Sequence, residues 1–235
     1  MRGTSKIEWE LALGERFSPM YQKITDDKLK VLQKAYLQMY KKFDAECRRH
    51  HIHSYMVAGT LIGSLRHGGY IPWDDDIDLV MFREDYNRLQ EIFADSEDFE
   101  LISPADATDS VFKVLKLQSK SLTYYDVLGE GFSKKKHLYL DMLPIDFVPE
   151  NNMLRKLKGL LFRALDLSHN SSRCYTKFTP HLTYMAKESK ELRQNLWIRR
   201  LIGFPSFIMG PANMYKLMEK LIQSNKKTSK ITIAY

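Results

Sequence analysis

The chain has 235 residues, is 44% hydrophobic and 28% charged, and carries a formal charge of +7. That length buries a substantial core and reads as one globular domain, or one domain with an appendage. The composition excludes fibrous and disordered classes, and no apolar run reaches the roughly 18 residues of a membrane span. The charge is uneven: residues 151–235 hold 16 Lys+Arg against 4 Asp+Glu, leaving 20 against 25 for residues 1–150. A basic second part predicts contact with something anionic: a phosphorylated substrate, an anionic membrane surface or nucleic acid. The plain alternative is a solvated basic face. Cys47 and Cys174 fit neither a metal-ligand spacing nor a disulfide framework, which suits a reducing compartment. With no legible signal peptide, the expected location is cytoplasmic, with peripheral contact to the inner face of a membrane.

Taken in order, residues 1–24 mix charge and aromatics, with a short helix expected around Ile7 to Leu13. Thr25 or Asp26 can cap a long helix to about His50. Its apolar stripe is Leu29, Leu32, Tyr36, Met39, Phe43 and Cys47. His50, His51 and His53 diverge at a basic helix end and are read as solvated rather than as metal ligands. Tyr55 to Ala58 reads as a strand broken at Gly59, and Thr60 to His67 as a short helix with Leu61, Ile62 and Leu65 inward. A strand–Gly–helix joint exposes backbone N–H groups at a helix start, where phosphate binds well; a plain tight turn is the alternative. Gly68, Gly69 and Pro72 mark a loop.

Four aspartates in five positions follow: Asp74, Asp75, Asp76 and Asp78. So dense a run repels itself unless something positive sits within it. In Asp76-Ile77-Asp78-Leu79 the residues two apart share a face of an extended chain. The two carboxylates therefore project together while Ile77 and Leu79 enter the core. Paired carboxylates are hard ligands suited to Mg²⁺ or Mn²⁺.

A helix from about Glu84 to Phe93 comes next, then a short strand at Phe99 to Ile102. Val111 to Leu117 suggests another strand, paired with Leu122 to Val127. Lys134 to Lys136 form a basic loop or strand entry. His137 to Val148 alternates well, with Leu138, Leu140 and Met142 on one side and Tyr139, Asp141 and Leu143 on the other. A lone carboxylate inside such a strand is expensive unless paired, so Asp141 is a third ligand candidate. Asp146, after Pro144 and near the strand end, competes for that role, with a turn cap as its plain reading.

The remainder reads as helical: Asn151 or Asn152 caps a helix to about Leu167, whose apolar side is Leu154, Leu157, Leu161 and Leu165. A second helix runs from Thr179 or Pro180 to Asn195, and Pro211 opens a last one to about Gln223. Between these, Leu196 to Met209 combines apolar, aromatic and basic residues, as in a helix lying in a membrane interface. A core helix with basic edges is the competing and somewhat favoured reading. Lys230 to Tyr235 resembles the start of a strand.

Ala58-Gly59-Thr60 followed by Asp76-Ile77-Asp78-Leu79 resembles the nucleotidyltransferase superfamily. The unbroken string Arg66-His67-Gly68-Gly69-Tyr70-Ile71-Pro72-Trp73-Asp74-Asp75-Asp76-Ile77-Asp78 resembles, within it, the LicD family. Weaker similarity extends from about Leu29 to Val148. The resemblance implies an α/β fold: a mixed sheet flanked by helices, with a catalytic core in residues 1–150 and a basic helical part in 151–235. LicD-like proteins continue with a further apolar strand and a tail ending in a Tyr-Gly-Asp element. Neither is found here, so the C-terminal part is expected to be truncated or divergent.

The resemblance also implies a set of roles. Asp76, Asp78 and Asp141 would be catalytic and hold Mg²⁺ or Mn²⁺, with Asp141 also a general-base candidate. Gly59 and Thr60 would hold nucleotide phosphates. Arg66 would meet a phosphate or pair with the aspartates. Trp73 and Tyr70 would stack on a base or brace the loop, and Asp74 and Asp75 would orient it. The implied reaction moves phosphocholine, or another phospho-alditol, from a CDP-linked donor to a glycan hydroxyl and releases CMP. The alternatives are nucleotidyl transfer to a small molecule or protein, which uses the same carboxylates, and a non-catalytic nucleotide- or polyanion-binding module. Nucleic-acid binding ranks last, since no reading motif is present. The sequence does not choose an oligomeric state.

Overall fold

A computed structural model describes residues 25–106, 113–127, 133–176, 189–224 and 227–233. The helix expected at Ile7 to Leu13, the strand residue Val111 and the helix start at Thr179 or Pro180 lie outside the described residues. Helix α1, Asp26–Arg49, turns Leu29, Tyr36, Met39, Phe43 and Cys47 inward, the stripe its periodicity predicts. Thr25 occupies its N-cap position without a side-chain hydrogen bond. Strand β1, Tyr55–Met56, is shorter than expected, and helix α2 spans Ala58–His67. Strand β2, Asp78–Phe82, leads directly into helix α3, Arg83–Phe93. Then come β3, Phe99–Ile102; β4, Leu115–Val127; and β5, Ser133–Phe147.

The sheet is six-stranded and mixed, in the order β1-β2-β5-β4-β3. Among the described residues its one parallel pair is β2 with β5, while β1–β2, β3–β4 and β4–β5 are antiparallel. The sixth strand, β6 (Ile231–Ile233), pairs antiparallel with Ile145, Asp146 and Phe147 of β5. Leu79 and Met81 of β2, Leu138, Leu140 and Met142 of β5, and Leu115 and Leu117 of β4 pack against α1 and α3 in one core. The alternation expected for β5 is thus observed, with Tyr139, Asp141 and Leu143 half-buried on the opposite face.

Two local expectations fail here. Leu122 to Val127 does not fold back on Leu115 to Leu117; it continues β4 beyond a register irregularity between Gln118 and Thr123, and both stretches pair with β5. Likewise, Leu61, Ile62 and Leu65 are exposed. The inward side of α2 is made by Gly59, Thr60 and Gly63 instead, because the loop that follows the helix presses on its glycine face.

Among the described residues three longer helices follow: α4, Asn152–Ser171; α6, Lys190–Met209; and α7, Pro211–Ile222, with the single turn α5, Arg173–Thr176, between the first two. Asn151 caps α4 by accepting the Leu154 N–H at 3.0 Å. Ser189 caps α6 by accepting the Leu192 N–H at 3.2 Å. Residues 196–209 therefore belong to a helix that begins at Lys190. Leu154, Leu157 and Leu161, expected to be the buried side of α4, are exposed.

A buried ion triad ties α7 to the sheet. Arg83 donates to both oxygens of Asp146, at 2.8 and 2.6 Å, and to Glu219 of α7 at 2.7 Å.

Candidate active site

The parallel pairing of β2 with β5 sets Asp78 directly beside Asp141. The Asp141 N–H donates to the Ile77 carbonyl at 3.1 Å, which extends the ladder one residue past the start of β2. Asp76 lies in the extended segment just before β2, two residues from Asp78, while Ile77 and Leu79 are buried as the alternation requires. The convergence of the carboxylates shows in the acidities of Asp76 and Asp78. Burial, and then the charges of Asp78, Asp74, Asp75 and Asp141, push Asp76 from the ordinary 3.8 to about 6. Burial and Asp141 also raise Asp78, opposed by Lys116.

Lys116 stands opposite Asp141 on β4. Its Nζ lies 2.8 Å from Asp141 Oδ1 and 3.4 Å from the centre of the Tyr139 ring. One ammonium does not balance so many carboxylates, and with burial this excess holds Asp76 and Asp78 above the usual carboxylate range. An all-oxygen donor set with unbalanced negative charge fits a hard divalent cation such as Mg²⁺ or Mn²⁺.

The loop before β2 is held by residues the motif alone does not reveal. A Cβ on Gly63 would lie 2.5 Å from the Gly69 carbonyl oxygen and 2.7 Å from the Ile71 nitrogen. Only glycine lets the loop fold back against α2 this closely. From α1, the Gln33 amide donates to the Asp74 carbonyl at 2.9 Å.

The break placed at Gly59 falls instead at Ala58, whose φ of 50° is left-handed, a strained setting for a residue with a side chain. Gly59 makes room for Asp74: a Cβ there would meet Asp74 Oδ2 at 2.5 Å. That oxygen is buried and has no hydrogen-bond partner among the described residues. Asp74, Asp75 and Asp76 each bring an oxygen to within 4.8 Å of the others. Asp74 and Asp75 therefore offer donors beside Asp76, in addition to shaping the loop. Asp76 is common to this trio and to the strand pair.

The other candidates separate. The Thr60 hydroxyl accepts the Asp78 N–H at 2.9 Å, fastening α2 to the first residue of β2. Arg66 is exposed and makes no ion pair among the described residues, so it is not the counter-ion of the aspartate run. Tyr70 packs against the core, where burial raises its phenol, and so braces the loop. Trp73 is 77% exposed. Asp146 is 1% exposed and bound to Arg83, in neither the cap nor the site the sequence allowed. His53 lies 3.8 Å from Asp85 and His50 3.9 Å from Glu46, as a dispersed helix end.

Sequence reasoning missed Gln33, Gly63, Arg83 and Lys116. The signal for Lys116 was its place between Leu115 and Leu117, which sets it on the face of the strand away from the core leucines, where Asp141 lies across the sheet.

A helix docked on the strand that carries an Asp-x-Asp pair, with a third carboxylate in register on the neighbouring parallel strand, defines a nucleotidyltransferase-type core. The chain belongs to the family described as LicD/FKTN/FKRP, nucleotidyltransferase domain, which matches residues 51–199 and so contains every carboxylate of the site. Over 107 residues it is 33% identical to the lipopolysaccharide cholinephosphotransferase LicD of Haemophilus influenzae, covering 46% of this chain and 40% of that protein. An uncharacterized Rickettsia typhi protein is 31% identical over 122 residues, 47% of this chain and 34% of the relative. The human ribitol 5-phosphate transferase FKRP is 28% identical over 102 residues, 43% of this chain and 18% of the relative. The matched stretch thus spans well under half of each of these relatives.

Proposed function

We propose that the chain is a LicD-like phosphotransferase that moves a substituted phosphate, phosphocholine or another phospho-alditol, from a CDP-linked donor to a hydroxyl of a cell-surface glycan. The observation that carries this reading is the alignment of Asp78 with Asp141 on parallel strands, with Asp76 raised to about 6 by burial and by the carboxylates around it. The printed activities of the relatives, choline phosphate and ribitol phosphate transfer, support the substrate class.

In the proposed step the acceptor oxygen attacks the phosphorus that bears the head group. The bond from that phosphorus to the oxygen shared with CMP breaks, and CMP leaves with the bond's electrons. Asp141 takes the hydroxyl proton. Asp76 and Asp78, with Asp141, would hold Mg²⁺ or Mn²⁺; when bound, the ion neutralises the leaving phosphate and acidifies the attacking hydroxyl. Backbone N–H groups at the start of α2, around Gly59 and Thr60, face the donor phosphates. Arg66, exposed beside the loop, offers them a further charge, and Trp73 offers the cytosine a stacking face.

The test is CMP release from CDP-choline and from other CDP-alditols, with Mg²⁺ or Mn²⁺ and a glycan acceptor, comparing wild type with Asp78→Ala. Metal-dependent release that the substitution abolishes is the expected result. Turnover of nucleoside triphosphates in its place would make the protein a nucleotidyltransferase. Binding of nucleotide without any turnover would make it a binding module.

A further inference from the structure

Helices α4 and α6 are inverted relative to a water-soluble bundle, whereas α7 buries Met214, Tyr215, Met218 and Ile222. The buried residues of α4 and α6 are mostly small or polar: Ser168, His169 and Ser171 from α4, and Gly203 and Ser206, with the apolar Leu196, from α6. Gly203 sits so close to α4 that a Cβ would lie 2.5 Å from the Ser171 carbonyl carbon. The hydroxyls of Ser168, Ser171 and Ser206 and the Nδ1 of His169 are buried with no hydrogen-bond partner among the described residues. Most of the large apolar side chains point outward. On α4, Met153, Leu157, Leu160 and Leu167 are exposed, in steps of four, three and seven. On α6, Trp197, Leu201, Phe204 and Ile208 are exposed, in steps of four, three and four. Each set is a single stripe along its helix.

In water this arrangement forfeits the hydrophobic term that normally holds helices together. Small and polar residues between helices, with large apolar residues outside, is the pattern of helices whose outer surroundings are hydrocarbon. No helix among the described residues is long and apolar enough to cross a membrane. The pattern therefore belongs to helices lying in the headgroup interface.

Charge identifies the occupant. Residues 151–235 hold 16 basic against 4 acidic residues. Exposed Lys156 and Arg163 fall on the α4 stripe, between its apolar members, and exposed Arg193 precedes Trp197 by one turn. A second copy would press two such basic regions together, whereas anionic lipid neutralises them. We infer that the exposed stripes of α4 and α6 dock this protein on an anionic lipid surface. The apolar side chains enter the acyl boundary, and Lys156, Arg163 and Arg193 reach the lipid phosphates. The inference does not depend on the catalytic reading.

Vesicle flotation of the full chain tests it, with phosphatidylcholine vesicles containing phosphatidylglycerol and with phosphatidylcholine alone. The wild type is expected to float with the anionic vesicles, and far less with the neutral ones. Leu201→Glu/Phe204→Glu, both at exposed positions, is expected to lower partitioning by about tenfold or more while leaving the thermal melt unchanged. Lys156→Gln and Arg163→Gln are each expected to cost about fivefold at low salt. Asp78→Ala is expected to float like wild type, which separates this inference from the fate of the catalytic one. No flotation with anionic vesicles, or flotation indifferent to the glutamate pair, would overturn it. So would a lipid-free dimer that the glutamate pair dissociates without any vesicle binding, which would assign the face to a second copy.

Discussion

Replacing Asp76 by Asn should stabilise the metal-free protein while destroying its activity. Asp76 is held at about 6 against an ordinary 3.8. At ~1.4 kcal/mol per pH unit, that is at most about 3 kcal/mol of penalty for carrying the charge in the folded state. The side chain is only half-buried, so solvent screening reduces the figure to about 1–2 kcal/mol. The sign is fixed by linkage. Between pH 3.8 and about 6 the folded state binds a proton that the unfolded state has released. Stability therefore falls as pH rises through that window, and the penalty is complete above it. Asn removes the charge, so Asp76→Asn should gain about 1–2 kcal/mol at pH 8, or about 2–8 °C in Tm, and almost nothing at pH 4. The assay is equilibrium denaturation in chelator at both pH values, paired with CMP release. A destabilised variant at pH 8, or an equal gain at both pH values, would refute the account of Asp76 as a carboxylate held against its neighbours' charge.

Other perturbations follow the same geometry. Adding Mn²⁺ should raise Tm in the wild type, and the increment should shrink as pH falls through about 6, where protons compete for Asp76; thermal melts across pH check this. Lys116→Met removes the ammonium 2.8 Å from Asp141, so the metal-free protein should lose about 1 kcal/mol at pH 8 while its Mn²⁺-induced Tm increment grows. Gly63→Ala drives a Cβ into the backbone of residues 69 and 71. It should cost about 1–3 kcal/mol and lower kcat more than that loss accounts for, because Asp74 to Asp76 hang from this loop; melts and CMP release together test the point. Arg83→Met strands Asp146 and Glu219 in a buried setting and should cost about 3–5 kcal/mol. Adding Asp146→Asn and Glu219→Gln should return part of the loss, as denaturation of the triple variant would show.

The sequence disclosed those parts of the site whose chemistry is local. The i, i+2 relation of Asp76 and Asp78 is a property of extended backbone, and the buried stripe of α1 is a property of helical period; both can be counted along the chain. That Asp141 stands beside Asp78 depends on a strand pairing across more than sixty residues, and only the alternation around Leu140 and Met142 hinted at it. The inward face of α2 was misread for a physical reason. Apolar residues normally mark the buried side, but here the loop's close approach to Gly63 decides, and Leu61, Ile62 and Leu65 are left outside. The same assumption failed on α4, where the leucines face outward and the serines inward. Periodicity finds the two sides of a helix but does not say which side faces the protein. Asp146 was ambiguous for want of its partner: Arg83 is distant in sequence and lies one residue past β2.

The partners of Arg83 and Asp166 also fix how the two parts of the chain act on each other. Arg83 clamps Asp146 at the end of β5 to Glu219 on α7. Asp166, near the far end of α4, pairs with Lys113 at 2.7 Å, three residues before the Lys116 that touches Asp141. The helical part is thus pinned to the sheet at two points, through α7 at the Asp146 end of β5 and through α4 at Lys113, just before β4. Two partly buried ion pairs resist movement of the helices, since swinging α4 or α7 away from the sheet would strand a charge. A surface that binds the outer stripes of α4 and α6 therefore sets the orientation of Asp76, Asp78 and Asp141 with little hinge freedom. Loosening the Lys113–Asp166 contact by Asp166→Asn should leave flotation intact but lower turnover on acceptors presented in vesicles more than on soluble ones. Equal effects on both acceptor forms would separate the helical face from the chemistry of the site.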